Sequence, residues 1–66
     1  MNALVKGQKV YRIKFDADGL MTQTEEEGVV LADQAEGGAW ASVQVSFNGE
    51  SYDAHRIELR AEGEVL

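Results

Sequence analysis

Three polar residues close together in the chain have the side-chain types that nucleophilic catalysis requires. Asp53 and His55 are two positions apart and Ser51 is nearby, so an extended strand places them on one face. Catalysis also needs these groups to converge in a cleft with hydrogen-bond donors for the developing charge. A chain of 66 residues has little room for such a cleft. We therefore expect no enzyme activity and assign no catalytic residue.

Metal binding has equally weak support in the sequence. Asp16-x-Asp18-Gly19 is similar to the opening of a calcium loop, and Glu27 stands at the twelfth position. The ligands expected between them are missing, so we interpret the segment as a turn. His55 is the only histidine and there is no cysteine. We expect neither a metal site nor a cofactor.

The charge distribution separates the chain into a basic start and an acidic middle. Twelve acids and six bases give a net charge of −6, and residues 16–53 contain no base. Binding to nucleic acid or to an anionic membrane depends on Lys and Arg, so neither is expected. A basic protein partner, or simple solubility, fits this balance better. The carboxylates assigned to such a contact are Asp16, Asp18, Glu25, Glu26, Glu27, Asp33 and Glu36.

No targeting or membrane segment is expected. The first charged residue is Lys6, which leaves too little room for the apolar part of a signal peptide. No apolar run approaches the roughly 20 residues that span a bilayer. Together with the absence of cysteine, this favours a cytoplasmic protein.

A period of two in the apolar residues predicts the first strand over residues 9–15. Tyr11, Ile13 and Phe15 share one face of it, and we expect Tyr11, Phe15 or both to belong to the core. Val10 interrupts the alternation, which indicates a strand near a bulge or one buried partly on both faces.

Four further strands are predicted, because no segment keeps a helical period over the roughly 12 residues that a stable helix needs. We expect a long polar loop over residues 16–27, a buried strand over residues 28–32 and an alternating strand over residues 40–47. The other two strands are predicted from their apolar positions, which are Tyr52 and Ala54, then Ile57 and Leu59. The chain is therefore predicted to be all-β.

The residues between these strands are turn formers. Asn48 and Gly49 both tolerate positive φ and predict a two-residue type I′ hairpin turn. Gly19 is expected in a left-handed position. His55 and Arg56 are expected to form one helical turn before the last strand.

This order of elements resembles the SH3-like barrel, including its Tudor and KOW-type variants. The resemblance is one of pattern and covers residues 6–61 of a single domain, 1–66. The stretches that carry it are Gly7-x-x-Val10, Glu27-Gly28-Val29-Val30, Trp40-x-x-Val43-x-Val45-x-Phe47 and Ala54-His55-Arg56-Ile57-Glu58-Leu59. It implies five strands with a short helical turn before the last, and the fold hosts many unrelated activities.

Trp40 is the aromatic residue that alternation places off the core face. A Tudor-type reader of methylated lysine or arginine needs a cage of several aromatic rings, and one exposed tryptophan does not supply it. Trp40 is instead a candidate contact anchor, because tryptophan is enriched among the residues that dominate interface energies. The alternative is that it caps the barrel end or the long loop.

Three hypotheses for function remain open. The first is a non-catalytic protein-binding module with Trp40 in its contact surface. The second is an acidic inhibitor or decoy, from a phage or other mobile element, that occupies a nucleic-acid-binding surface of a host or immunity protein. The third is a self-associating barrel, in which Arg12 and Lys14 of one copy meet the acidic residues of another.

Overall fold

The computed structural model of the chain describes residues 3–35 and 37–64. Within them the chain forms five antiparallel strands in one sheet and a 3₁₀ turn before the last strand. In chain order these are β1 (Lys9–Phe15), β2 (Met21–Val30), β3 (Ser42–Phe47), β4 (Glu50–His55), the 3₁₀ turn η1 (Arg56–Glu58) and β5 (Leu59–Ala61). The all-β prediction is confirmed.

The strands are hydrogen-bonded in the order β4-β3-β2-β1-β5. β4 and β5 are the two edges of the sheet, and no pairing between them closes it across the described part of the chain. The 3₁₀ turn confirms the helical turn expected before the last strand. Ile57, which we expected in the last strand, lies in η1 instead.

The core lies on the face of the sheet to which Val10 points. Val10 stands opposite both Gly28 and Ala61, and Gly28 stands opposite Phe47, so these residues share one face. The predicted alternation of the third strand holds from Ser42 onwards. The buried apolar residues are Leu4, Val10, Val30, Val43, Val45, Phe47, Ala54, Leu59 and Ala61.

The expected loop over residues 16–27 is wrong in its second half, because β2 already begins at Met21. The polar stretch pairs with β1 as an extended hairpin, and only residues 16–20 form the connection. A register shift between Tyr11 and Ile13 interrupts this pairing, as the interruption at Val10 indicated. The strand was not recognised because a ribbon with solvent on both sides needs no apolar face.

The core face of β1 is also opposite to our expectation. Val10 is fully buried, whereas Phe15 is 62% exposed and Tyr11 only half-buried. Arg12 lies on the same side as Val10, since it stands opposite the buried Leu59 of β5. The alternating apolar residues of β1 therefore face away from the core.

Two predicted turn positions are confirmed. Asn48 and Gly49 have φ of 53° and 82°, as a type I′ turn between β3 and β4 requires. Gly19 has φ of 81° in the connection from β1 to β2. Asp16 stabilises this connection, because its Oδ1 accepts hydrogen bonds from the backbone N–H groups of Asp18 and Leu20, both at 2.9 Å.

The chain before β1 folds back onto the segment that follows β2. Leu4, which precedes the 6–61 region of the resemblance, is 1% exposed. Its N–H donates to Gln34 Oε1 at 3.0 Å, and the N–H of Gln34 donates to the carbonyl of Leu4 at 2.8 Å. The N–H of Lys6 donates to Asp33 Oδ1 at 2.8 Å. These bonds add an N-terminal cover to the core.

Arg56 is the one charged side chain buried among the described residues, with 1% exposure. Its Nη2 donates to Glu64 Oε2 at 2.6 Å, and its Nη1 donates to the carbonyl of Leu59 at 2.9 Å. Glu64 Oε1 also accepts the N–H of Ala61 at 3.2 Å. This ion pair holds the segment after β5 against the core.

The Arg56–Glu64 pair predicts a specific loss of stability in acid. Burial acts to raise the pKa of Glu64, but its hydrogen bonds from Arg56 and Ala61 and the charge of Arg56 outweigh burial. The folded pKa therefore lies below the ordinary value of 4.5. Because the pKa is lower in the folded than in the unfolded state, the ionised carboxylate stabilises the fold at pH values above the unfolded pKa. This stabilisation is lost as the pH falls through the folded pKa.

We therefore expect the stability difference between wild type and Glu64→Gln to be constant near neutral pH. It should shrink once the pH falls below about 4.5. Urea denaturation of both proteins across this range measures the difference. A difference that grows in acid would contradict the pairing.

Candidate functional site

Trp40 lies in the loop between β2 and β3 on a backbone that η1 holds in place. The N–H of Arg56 donates to the carbonyl of Ala41 at 2.9 Å, and the N–H of Ile57 donates to the carbonyl of Ala39 at 2.8 Å. Both neighbours of Trp40 are thus hydrogen-bonded to the turn before β5. The strand predicted to begin at Trp40 instead begins at Ser42.

The Trp40 side chain is 72% exposed, as the alternation predicted. Its one aromatic neighbour among the described residues is His55, edge to face, with ring centroids 5.6 Å apart and an interplanar angle of 77°. His55 Nδ1 lies 3.1 Å from the carbonyl oxygen of Trp40. The backbone N–H of His55 donates to Glu58 Oε2 at 2.9 Å, which ties the end of β4 to η1. A large, mostly exposed apolar ring is therefore carried by a hydrogen-bonded backbone.

The predicted acidic residues do not form one patch. Asp16 and Asp18 lie at the β1–β2 turn, whereas Asp33 follows the far end of β2. Ten extended residues of β2 separate these ends, a distance of roughly 30 Å at about 3.3 Å per residue. Glu36 lies outside the described residues.

Most of these carboxylates already have partners within the chain. Glu26 Oε2 lies 2.9 Å from Arg12 Nη1, and Glu27 Oε2 lies 3.9 Å from Lys9 Nζ. The carboxylates of Asp16 and Asp33 accept backbone N–H groups, as described above. Across residues 3–35 and 37–64, the predicted acids without such a bond are Asp18 and Glu25.

Arg12 takes part in a contact that the sequence did not indicate. Its guanidinium carbon lies 4.5 Å from the centroid of the Phe47 ring and 5.3 Å from that of Tyr52. Its Nε donates to Tyr52 Oη at 3.0 Å, so the side chain joins β1 to β4. The available signal was that Arg12 lies on the Val10 side of β1, opposite to the face that we expected to be buried. The guanidinium of Arg12 therefore lies against both rings, in the position of a cation–π contact.

Ser51, Asp53 and His55 do not converge in the structure. Ser51, Asp53 and His55 alternate along β4 opposite Ser46, Gln44 and Ser42. Within the described residues no hydrogen bond joins them to one another, and His55 Nδ1 faces the Trp40 carbonyl instead. No group of three or more His, Cys, Asp or Glu side chains suited to a metal ion occurs in the described chain.

The exposed face of the β1–β2 hairpin is the largest feature that the sequence analysis assigned wrongly. Phe15 stands opposite Met21, and these side chains are 62% and 42% exposed. Leu20, in the adjoining turn, is 64% exposed. The period of two along β1 was the available signal, and it marks an apolar surface rather than the core.

Comparison with protein families, curated proteins and solved structures gives no match to this chain. None of the helical segments within the described residues is long and apolar enough to cross a membrane. Inferences about function therefore rest on the geometry above.

Proposed function

We propose that this chain is a small non-catalytic protein-binding module and that Trp40 is its contact anchor. The observation that carries the proposal is a tryptophan 72% exposed on a backbone fixed on both sides by η1. Ordering a flexible loop opposes association, so an anchor on a backbone that is already held in place binds with a smaller entropic loss. Tryptophan is also among the residues that most often dominate interface energies.

The fold proposed for this module is the SH3-like class. The strand order β4-β3-β2-β1-β5 and the 3₁₀ turn before the last strand support that assignment. The proposed partner is a protein with a basic surface, because the chain carries a net charge of −6. Direct contact with nucleic acid or a membrane is not part of the proposal, and the proposed compartment is the cytoplasm.

The acidic-decoy alternative receives support from Asp18 and Glu25, whose carboxylates are exposed and lack bonds to the other described residues. The other described acids assigned to this contact would have to give up intramolecular bonds, or share them, to meet a basic surface; they are Asp16, Glu26, Glu27 and Asp33. Electrostatic association of this kind weakens as salt screens it. Salt dependence therefore separates the decoy from a module anchored by an apolar ring.

Trp40→Ala is expected to weaken partner binding by roughly thirtyfold, the loss of about 2 kcal/mol typical of an interface hot spot. Its effect on folding should be small, because the side chain is mostly solvent-exposed. The measurement is retention of partner proteins from bacterial lysate by the tagged protein, washed at low and at high salt. Circular dichroism and thermal melting check the fold.

Val5→Ala is the matched control, since Val5 is also an exposed apolar residue, at 54%. A partner lost from Trp40→Ala but retained by Val5→Ala at both salts supports the proposal. Equal losses from the two variants would contradict the role of Trp40. A partner that elutes with salt from every variant would favour the decoy, and a particle mass well above 7.2 kDa without any partner would favour self-association.

A further inference from the structure

The outer half of the β1–β2 hairpin is a two-stranded arm. β3 pairs with β2 only at residues 28–30, and β5 pairs with β1 only at residues 10–12. Residues 13–15 and 21–23 therefore pair with each other alone among the described strands. A two-stranded hairpin on its own is marginally stable in water, so this arm gains from a surface that covers it.

One face of this arm carries three apolar side chains and the polar Gln23. Ile13 stands opposite Gln23, and Phe15 stands opposite Met21, so the four share a face. Lys14 and its partner Thr22 occupy the other face. We call the following residues the apolar stripe: Tyr11, Ile13, Phe15 and Met21 of this face, together with Leu20 of the adjoining turn. Strict alternation over a strand normally records a buried face, yet the core of this chain covers the opposite side.

The charges beside the stripe indicate what kind of surface covers it. Asp16 and Asp18 flank its tip and are exposed. Lys14 is the nearest base and has no ion pair within the described residues, whereas Arg12 and Lys9 are paired with glutamates of β2. The tip therefore carries net negative charge. A second copy would bring two such tips, or two chains of charge −6, against each other.

The exposed area of the stripe also favours a groove on a partner protein over a contact between two copies of this chain. Stable interfaces bury about 800 Å² on each partner, close to a fifth of the 4432 Å² that this chain exposes. Three side chains at the tip of a narrow ribbon supply only a few hundred Å² of apolar surface. A flat contact between two tips falls short of that requirement. A groove that also encloses the flanks of the ribbon would bury more of the hairpin than such a flat contact.

We propose that the apolar stripe inserts into an apolar groove, rimmed by Lys or Arg, on a partner protein. The inference rests on the proposed function, that the chain binds a protein, and adds a second contact surface and the chemistry that it recognises. Phe15, Leu20 and Met21 fill the groove. Asp16 and Asp18 meet the basic rim.

The test is photo-crosslinking from three positions in the full chain. The photoreactive residue p-benzoylphenylalanine replaces Phe15, Trp40 or, as the control, the exposed Ser51 of β4, and lysate is irradiated with each protein. The adducts are digested and the attached peptides sequenced. Phe15 is mostly exposed, so circular dichroism of its derivative should match wild type.

Position 15 is expected to give several-fold more adduct than position 51. Its attached peptides should come from a partner surface that combines apolar residues with Lys or Arg. Leu20→Ser with Met21→Ser, introduced into the position-15 protein, should lower the yield several-fold. Capture of a protein with any other surface chemistry counts against the proposal.

Three results would overturn it: a yield at position 15 equal to that at position 51, an adduct with a second copy of this chain, or attached peptides that are acidic. If position 40 still crosslinks while position 15 does not, the stripe fails and the binding module stands. If neither position crosslinks, both fail.

Discussion

Gly28→Ala is expected to destabilise the fold by about 1–3 kcal/mol, the range typical of overpacked cores. A Cβ at Gly28 would lie 2.6 Å from Cε1 of the Phe47 ring and 2.7 Å from its Cδ1 and Cζ. The ring has nowhere to move, because Phe47 is 1% exposed and Arg12 lies over it at 4.5 Å. Domains of this size have only a few kcal/mol of stability, so the substitution should remove a large share of it.

The change is measured by urea denaturation against Gly37→Ala. A Cβ at Gly37 meets nothing within 4 Å, so that variant should be close to neutral. Phe47→Leu replaces the ring with a smaller side chain. The loss of stability from Gly28→Ala should therefore be smaller in that background than in wild type. Equal costs in both backgrounds would contradict the clash as the cause.

Glu64→Ala is expected to destabilise the fold by about 2–3 kcal/mol. The substitution leaves the guanidinium of Arg56, 1% exposed, without its carboxylate at 2.6 Å. Removal of one partner from a fully buried pair costs about 3–5 kcal/mol. We expect a loss below that range because the Glu64 side chain is 26% exposed, so water can reach part of the site.

Glu62→Ala is the control for this variant. Glu62 is close in sequence and its ion pair with Lys9 spans 3.8 Å, but both side chains are largely exposed. An exposed pair of this kind contributes at most about 1 kcal/mol. Denaturation midpoints of the two variants should therefore differ clearly. Equal midpoints would mean that Arg56 does not depend on Glu64.

The parts of the fold that sequence reasoning predicted are those in which one local signal decides the outcome. Asn48 and Gly49 can adopt positive φ, and the hairpin turn is found there. The alternation of Val43, Val45 and Phe47 is strict, and the three are buried together. Trp40 is exposed as predicted, although it lies in the loop before β3 and not in the alternating strand.

The parts that were wrong depend on which side of the sheet the core covers. Alternation shows that Tyr11, Ile13 and Phe15 share a face, but it does not show which neighbour covers that face. The buried side of β1 is set by long-range register, through Val10 opposite Gly28 and Ala61. Alternation also could not predict the polar first part of β2. That part is a strand because it pairs with β1, and its composition alone does not indicate one.

The candidate site was predicted in part for the same reason. The exposure of the Trp40 side chain was predicted from the sequence. The hydrogen bonds from η1 to the residues on either side of Trp40 were not. The acidic residues were expected to act together, but their distribution along a long hairpin separates them. Their bonds to Arg12, Lys9 and backbone amides depend on contacts distant in sequence.

The most direct test of the central claim is the dissociation constant of the captured partner, purified, for wild type, Trp40→Ala and Val5→Ala. The account predicts that Trp40→Ala weakens binding by roughly thirtyfold at both low and high salt. It also predicts that Val5→Ala leaves binding near wild type and that all three proteins melt at similar temperatures. Equal dissociation constants for the two variants would contradict the proposal that Trp40 anchors a protein-binding module.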